Sequence, residues 1–249
     1  MEGTTPAIIA ILFLGTLVRA SLGFGEALIS VPLLALVMPV EQAAPVAVLV
    51  SITIALMILA RDWRKVHFHS ARRLILSTLA GIPVGLWMLR SLPEGVVKAS
   101  LAVIILAFSL HALLNRRSHT LEDDRLAWLF GFQAGVLGGA YGMNGPPLAI
   151  YGSLRQWRPE DFRATLQAYF LPAGLAGMGG YWWAGLWTPA VSHFYLASLP
   201  GVALAVIAGG TLNTRLEPRR FRSYVYVGLV AIGVALLVQS LAAWKAGSR

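Results

Sequence analysis

Arg19-Ala-Ser-Leu-Gly-Phe-Gly-Glu26 interrupts an apolar stretch that extends from about residue 7 to residue 38. A second apolar stretch, from about residue 126 to residue 154, is interrupted by Gly138-Gly-Ala-Tyr-Gly-Met-Asn-Gly-Pro-Pro147. Neither stretch can continue as one straight helix in lipid, because glycine loosens a helix and proline removes a backbone donor. We therefore predict that each stretch forms two short helices that meet at an unwound point buried in protein.

The rest of the chain consists mainly of apolar segments that are long enough to cross a membrane. A hydrocarbon layer is about 30 Å thick, and a helix rises about 1.5 Å per residue. Of the 249 residues, 57% are hydrophobic and 12% are charged, and the mean hydropathy is +0.69. This composition excludes a soluble enzyme, a disordered protein and a disulfide-bonded secreted domain. The predicted fold class is all-α, a polytopic membrane protein, with six spans at about 45–60, 71–90, 95–114, 164–184, 189–211 and 221–243.

The positive charges indicate how the chain is oriented in the membrane. The net charge is +9 at pH 7, and most Lys and Arg residues lie in short loops between the apolar segments. Such loops are typically cytoplasmic. Most of them share one side only if both interrupted stretches enter and leave on the same side, as re-entrant hairpins. We therefore expect a multi-pass protein of the cell inner membrane, surrounded by lipid, with both termini periplasmic and no nucleic-acid partner.

This topology divides the chain into two halves, residues 1–117 and residues 118–249. Each half has one hairpin and three spans, and since three is odd, the second half is inverted relative to the first. A shift of 119 residues aligns Gly23 with Gly142 and Glu41 with Glu160. Inverted repeats with interrupted helices are typical of secondary transporters, whose substrate binds near the midplane where the interruptions meet.

Arg19 and Glu26 are the strongest candidates for an anion-binding or proton-coupling site. An arginine within lipid costs about 2.5–3.5 kcal/mol or more, and its planar guanidinium suits an oxyanion. Arg19 has two other interpretations, an ion pair with Glu26 or a side chain that reaches the outer headgroups. For Glu26 two roles stay open: a carrier of a coupled proton, since burial favours a neutral carboxyl group, or a permanent counter-ion of Arg19.

The interruptions themselves are candidate substrate sites, because short helices begin with unpaired N–H groups that attract anions. Close helix packing is the alternative role of their glycines. Polar residues within the spans form a second group. Serine and threonine often bond to their own helix, whereas an amide needs an outside partner, which favours glutamines over Ser51 and Thr53. The expected substrate-binding residues are, with Arg19, Ser21, Gly23, Phe24, Gly25, Gln133, Tyr141, Gly142, Asn144, Gly145, Pro146 and Gln167.

Three segments resemble the sulfite exporter TauE/SafE family. They are Gly23-Phe-Gly-Glu-Ala-Leu-Ile-Ser-Val-Pro-Leu-Leu34, Gly81-Ile-Pro-Val-Gly-Leu-Trp87 and Gly142-Met-Asn-Gly-Pro-Pro-Leu-Ala-Ile-Tyr151. The resemblance implies a bacterial inner-membrane permease for sulfite, sulfonates or related sulfur-containing anions, and it implies export. Glu26, Asn144 and Tyr151 depart from the family's usual pattern.

We therefore expect a secondary transporter for a small sulfur-containing oxyanion, with an anion channel or a pore of another substrate class as the alternative. An intramembrane enzyme is not expected, because the sequence has no HExxH motif and its spans hold almost no carboxylates. The chain has no cysteine, which excludes thiolate metal sites. The His67-Phe-His69 pair lies in a basic loop, so we expect neither a metal nor a cofactor. The oligomeric state does not follow from the sequence.

Overall fold

The computed structural model describes residues 4–62, 68–114, 125–155, 159–212 and 218–247. His67 and the expected boundary between the halves, at residues 117 and 118, lie outside these ranges. Within them the chain is helical and contains no strand. The helices are α1 (Thr5–Leu22), α2 (Glu26–Ala35), α3 (Val40–Asp62), α4 (Phe68–Ser91), α5 (Glu94–Leu114), α6 (Ala127–Tyr141), α7 (Gly145–Leu154), α8 (Pro159–Trp183), α9 (Pro189–Leu212) and α10 (Pro218–Gly247).

Six helices in the described part of the chain are long and apolar enough to cross a membrane: α1, α3, α4, α5, α9 and α10. The all-α membrane fold is thus confirmed, but two helices differ from the prediction. α1 has 18 residues and is itself long enough to span, although we predicted a short helix. α8 coincides with the predicted span 164–184 but is not among the six. Its residues from Ala164 to Gln167 are buried, so a less apolar sequence is accommodated by protein contacts rather than by lipid.

Both predicted interruptions are present. Three residues separate α1 from α2, and three separate α6 from α7. Gly23 and Gly25 have φ angles of 88° and 100°, and Gly142 has a φ of 66°. These values lie in the left-handed region, which residues with a Cβ atom rarely adopt. Glycine therefore stops α1 and α6 where a span would otherwise continue.

Each interruption folds the chain back on itself, because α2 packs against α1 and α7 packs against α6. The first hairpin is tight at Gly15. A Cβ atom there would collide with the Ser30 side chain and would lie 2.9 Å from the carbonyl oxygen of Glu26. The absence of a side chain at Gly15 is what allows α1 and α2 to approach so closely.

The helices before the two interruptions, α1 and α6, each pack against a helix that is distant in the sequence. α1 packs against α9, and α6 packs against α4, so the first helix of each hairpin lies on a helix of the other half. The α4–α6 contact is made by backbone: Gly81 and Gly85 lie directly against Gly135 and Gly139. α3 packs against α8, and α5 packs against α10. The interior of the bundle is therefore built jointly by both halves around α3 and α8.

Candidate functional site

Arg19 is buried in the interior with 2% of its surface exposed, so it does not reach the headgroups. Its Nε and Nη2 atoms donate hydrogen bonds of 3.2 and 2.7 Å to Oε1 of Gln167. Nη1 donates a 2.6 Å hydrogen bond to Oγ of Ser51. The guanidinium carbon lies 4.5 Å from the centre of the Phe170 ring, within the range of a cation–π contact. These contacts hold the guanidinium group between α1, α3 and α8.

Arg19 also faces Glu26, the first residue of α2. Nη1 of Arg19 lies 3.6 Å from Oε2 of Glu26, and Glu26 is 1% exposed. Among the described residues neither carboxylate oxygen has a hydrogen-bond partner. The ion pair that the sequence left open is therefore present, but at a distance longer than a hydrogen bond. Desolvation makes such a pair weakly stabilising unless further hydrogen bonds support it.

Gln167 connects this ion pair to the first interruption. Its Nε2 atom donates a 2.8 Å hydrogen bond to the carbonyl oxygen of Gly23. Its side-chain oxygen accepts both hydrogen bonds from Arg19, so the amide group uses both of its ends. Gln167 therefore fixes Arg19 relative to the turn between α1 and α2, as the requirement of a buried amide for an outside partner predicts.

The second interruption meets the same helix two residues further along. Nδ2 of Asn144 donates to the hydroxyl of Tyr169 at 3.3 Å and to the carbonyl oxygen of Ala134 at 3.2 Å. The Tyr169 hydroxyl is also hydrogen-bonded to Thr78 at 2.6 Å. Gln167 and Tyr169 are both fully buried. The two interruptions therefore converge on one short segment of α8.

A reciprocal contact relates the two interruptions. Gly23 contacts Gln167 on α8, whereas Gly142 lies against Val48 on α3. A shift of 119 residues converts the first pair of positions into the second: 23 becomes 142, and 48 becomes 167. The first interruption thus packs on α8 and the second on α3, where Ala44 also contacts Gly142.

Several predicted residues form contacts of their own. The Ser21 hydroxyl donates to the carbonyl oxygen of Leu17 at 2.8 Å, and the Tyr141 hydroxyl is 2.7 Å from Oγ of Ser100. The Phe24 ring packs edge-on against Phe162 at 5.9 Å. These contacts fix the helices next to the turns. Ser21, Phe24 and Tyr141 therefore contact protein groups next to the turns.

Gln133 differs from Gln167, because it lies at an exposed position on α6. The second interruption also offers fewer backbone donors than we expected. Pro146 is buried, and it and Pro147 have no N–H group, while the N–H of Gly142 is bonded to the carbonyl oxygen of Gly138. Pro146 can therefore contact an anion only through its ring. Gly145 borders open space, since no described atom lies within 4 Å of the Cβ position there.

The first interruption retains free donors. Gly25 precedes α2 with a φ of 100°, and no side chain in the described part of the chain caps this helix end. The first N–H groups of α2 therefore lack intrahelical partners. They lie at the positive end of the helix dipole, in the turn next to Glu26. An anion near Arg19 would meet these donors as well.

The sequence pattern does not indicate Phe170, Tyr169, Thr16 or Ser30, and it favours the glutamines over Ser51. A serine or threonine in a span usually bonds to its own helix, so Ser51 carries almost no signal in the sequence. The aromatic residues of α8 look like ordinary core residues. Only the structure shows that Phe170 contacts Arg19 and that Tyr169 contacts Asn144.

The comparisons with known proteins identify the family of the chain. The chain matches the family described as "Sulfite exporter TauE/SafE" over residues 7–236, which includes both interruptions. It is 24% identical over 242 residues to a protein of Cupriavidus necator named "Probable sulfite/organosulfonate exporter TauE", and the alignment covers 94% of each chain. No solved structure matches the chain. The match over most of its length shows that this membrane protein belongs to the sulfite exporter TauE/SafE family.

Proposed function

We propose that this protein is a secondary transporter that exports sulfite or a short organosulfonate across the cell inner membrane. The printed name of the Cupriavidus necator relative supports this substrate class. The single observation that carries the proposal is the buried guanidinium group of Arg19, held between α1, α3 and α8 beside the first interruption. A buried arginine within a span is costly, and such residues typically mark a transport pathway.

The chemistry of Arg19 fits an oxyanion. A guanidinium group has five N–H donors. In the described part of the chain, three of those of Arg19 form hydrogen bonds with Gln167 and Ser51. Two donors are left for a sulfite or sulfonate group, whose oxygens can accept them side by side. Ser51 is only partly buried, so the face of Arg19 that it covers is the one a substrate can approach. Arg19, Gln167, Gly23, Gly25 and Ser51 form the core of the proposed site.

The position of Ser51 within α3 supports a site near the midplane. Ser51 is the central residue of α3, which extends from Val40 to Asp62. If α3 crosses the bilayer, Ser51 lies about 16 Å from either end at about 1.5 Å per residue, and Arg19 lies at the same depth. This depth places the guanidinium group where an anion would be most strongly isolated from water.

Two inverted repeats, residues 1–117 and residues 118–249, would place the site between halves that can move against each other. The packing of α1 against α9 and of α6 against α4 supports this arrangement, as do the contacts of Gly23 and Gly142. In this proposal both hairpins are re-entrant, both termini are periplasmic, and access alternates by movement of one half against the other. Asn144, Gly145 and Pro146 would then approach the substrate from the second half.

Export of the anion alone, without a coupled ion, would need no energy source other than the gradients. An inside-negative potential favours outward movement of an uncompensated anion by about 2.3 kcal/mol per charge at 100 mV. A channel is the alternative, and saturation distinguishes the two: a carrier saturates with substrate, whereas the conductance of a pore does not.

Flux into liposomes tests the proposal. Purified protein is reconstituted and supplied with sulfite, sulfate, thiosulfate, methanesulfonate or isethionate. We expect saturable sulfite flux in the wild type and in Arg90→Gln, since Arg90 lies at an exposed position at the end of α4. Arg19→Gln should transport at the rate of empty liposomes. Sulfite flux in Arg19→Gln equal to that of the wild type would contradict the proposed site, and non-saturating flux would favour a pore.

A further inference from the structure

Glu26 is a buried charge with little support. Arg19 and Glu26 are the two charged side chains that are buried in the described part of the chain. Both carboxylate oxygens of Glu26 lack a hydrogen-bond partner there, and the nearest Arg19 nitrogen lies 3.6 Å away. A buried carboxylate is normally paired by hydrogen bonds, so this arrangement leaves Glu26 dependent on Arg19 alone.

Two buried hydroxyl groups, each one helical turn along the chain from a member of the ion pair, are also without partners among the described residues. Among the described residues, Oγ1 of Thr16 and Oγ of Ser30 are buried and form no hydrogen bond. Thr16 lies one turn before Arg19 on α1, and Ser30 lies one turn after Glu26 on α2. The close approach at Gly15 brings these turns together. Serine and threonine in helices usually bond to a carbonyl of their own helix, so two unbonded hydroxyls in one interface need a separate explanation.

In the described part of the chain, Arg19 is the only charged side chain that pairs with Glu26. α1, α3, α5, α7 and α10 pack against α2. The titratable side chains on the last four of these helices lie at exposed positions or contact other groups: Glu41 on α3; Glu94, Lys98 and His111 on α5; Tyr151 on α7; and Tyr224 and Tyr226 on α10.

The charge balance of the proposed site now depends on its occupancy. Without substrate, the positive charge of Arg19 compensates the negative charge of Glu26. A sulfonate bound to Arg19 adds a second negative charge, and one guanidinium group cannot compensate two buried anions. A proton on Glu26 restores neutrality. The new O–H group is then a donor at one helical turn from Ser30 Oγ on α2, while Thr16 Oγ1 lies one turn from Arg19 on α1, and both hydroxyl oxygens are without a hydrogen bond in the described part of the chain.

We propose that Glu26, with Thr16 and Ser30, is the proton-binding site of the transporter, and that its proton travels with the anion. This inference rests on the proposed function of Arg19. On binding, Arg19 exchanges its contact with Glu26 for the substrate, and the Glu26 carboxylate takes one proton from water. On release the anion and the proton leave together, and the ion pair between Arg19 and Glu26 forms again.

One electrical consequence distinguishes this mechanism from transport of the anion alone. For a monovalent sulfonate, the empty and loaded sites have the same net charge, so the membrane potential does not drive the cycle. In Glu26→Gln the empty site has one positive charge and the loaded site is neutral. That variant therefore moves one charge per cycle and no proton.

The experiment uses proteoliposomes that contain the pH indicator pyranine, with methanesulfonate as the substrate. Methanesulfonate stays ionised at neutral pH, so any proton that crosses with it is carried by the protein. We expect one proton per methanesulfonate in the wild type and a rate that a valinomycin–potassium potential does not change. Any methanesulfonate flux through Glu26→Gln should be without protons and should respond to the potential. Glu41→Gln, at an exposed position on α3, should behave like the wild type.

The measurements distinguish a wrong role for Glu26 from a wrong role for Arg19. If the wild type does not carry methanesulfonate, sulfite at mildly acidic pH, where it is a monovalent anion, takes its place, and the response to the potential then decides, because bisulfite brings an ionisable proton of its own. Wild-type flux of methanesulfonate without protons, or of either anion with full dependence on the potential, overturns the role of Glu26 and leaves Arg19 as the anion site. Flux of neither anion overturns both. The wild-type measurements decide the question even if Glu26→Gln does not fold.

Discussion

Arg19 and Gln167 lie 148 positions apart in the chain, yet Gln167 accepts two hydrogen bonds from the guanidinium group of Arg19. The same amide donates to the carbonyl oxygen of Gly23, at the end of α1. A side chain of the second half therefore sets the position of the charged group in the first half. Movement of α8 against α1 would change the geometry of the guanidinium group directly.

The first prediction concerns this positioning role. Gln167→Leu keeps the volume of the side chain but removes all three hydrogen bonds, so Arg19 should lose its orientation. Hydrogen bonds to charged groups contribute about 1.5–3 kcal/mol, which corresponds to a rise in the KM for sulfite of about tenfold to a hundredfold. Initial rates of sulfite uptake into proteoliposomes measure this change.

The matched control is Gln133→Leu, because Gln133 has the same chemistry at an exposed position on α6. It should leave the KM within about twofold of the wild-type value, as surface substitutions usually change free energies by no more than about 0.5 kcal/mol. Equal effects of the two substitutions would show that Gln167 acts through general stability and not through Arg19.

The two glutamines also show how far the sequence predicts the site. Both met the same criterion, an amide within an apolar span, and the sequence did not separate them. The structure does, because the helical face of α8 at Gln167 points into the bundle, whereas Gln133 is exposed. Which face of a span meets protein depends on packing between distant helices, and this information is not local.

The interruptions, in contrast, were predictable because their cause is local. Gly23, Gly25 and Gly142 adopt positive φ angles that other residues avoid, and this preference is a property of each residue itself. The length of α1 was not predicted correctly. α1 continues for 18 residues to Leu22, since nothing in its sequence before Gly23 stops a helix.

A second prediction concerns the tight hairpin of α1 and α2. In Gly15→Ala the new Cβ atom would collide with the Ser30 side chain and lie 2.9 Å from the backbone carbonyl of Glu26. The helices must separate, which should cost about 1–3 kcal/mol of stability. The midpoint of thermal unfolding in detergent should fall, and the Arg19–Glu26 pair should be disturbed with it.

Gly177→Ala on α8 is the control for this substitution. No described atom lies within 4 Å of the Cβ position of Gly177, so an alanine should be accepted. Alanine is the better helix former by about 1 kcal/mol, and the unfolding midpoint should stay the same or rise slightly. A Gly15→Ala variant as stable as Gly177→Ala would contradict the close packing of the hairpin.

A third prediction tests the inverted topology. The chain has no cysteine, so single cysteines can be introduced without a background signal. Ser91→Cys and Arg125→Cys replace exposed residues that lie on opposite sides of the membrane in the proposed topology. In intact cells a membrane-impermeant maleimide should label Ser91→Cys and leave Arg125→Cys unlabelled.

Permeabilised cells provide the control for labelling, because both cysteines should then react. Thr4→Cys, near the amino terminus, should be labelled in intact cells as Ser91→Cys is. Protection of Ser91→Cys together with labelling of Arg125→Cys would reverse the proposed orientation. Labelling of both Ser91→Cys and Arg125→Cys in intact cells would exclude a single span between them, and protection of Thr4→Cys together with labelling of Ser91→Cys would exclude a re-entrant first hairpin.

The most direct test of the central claim is equilibrium binding of radiolabelled sulfite to the purified protein in detergent. The wild type and Arg90→Gln should bind sulfite saturably, and unlabelled methanesulfonate should compete. Arg19→Gln should show no saturable binding while it elutes as a folded protein, and Arg19→Lys should bind at least about tenfold more weakly because it lacks the planar fork. Saturable binding of sulfite to Arg19→Gln with wild-type affinity would contradict the claim that Arg19 is the anion site.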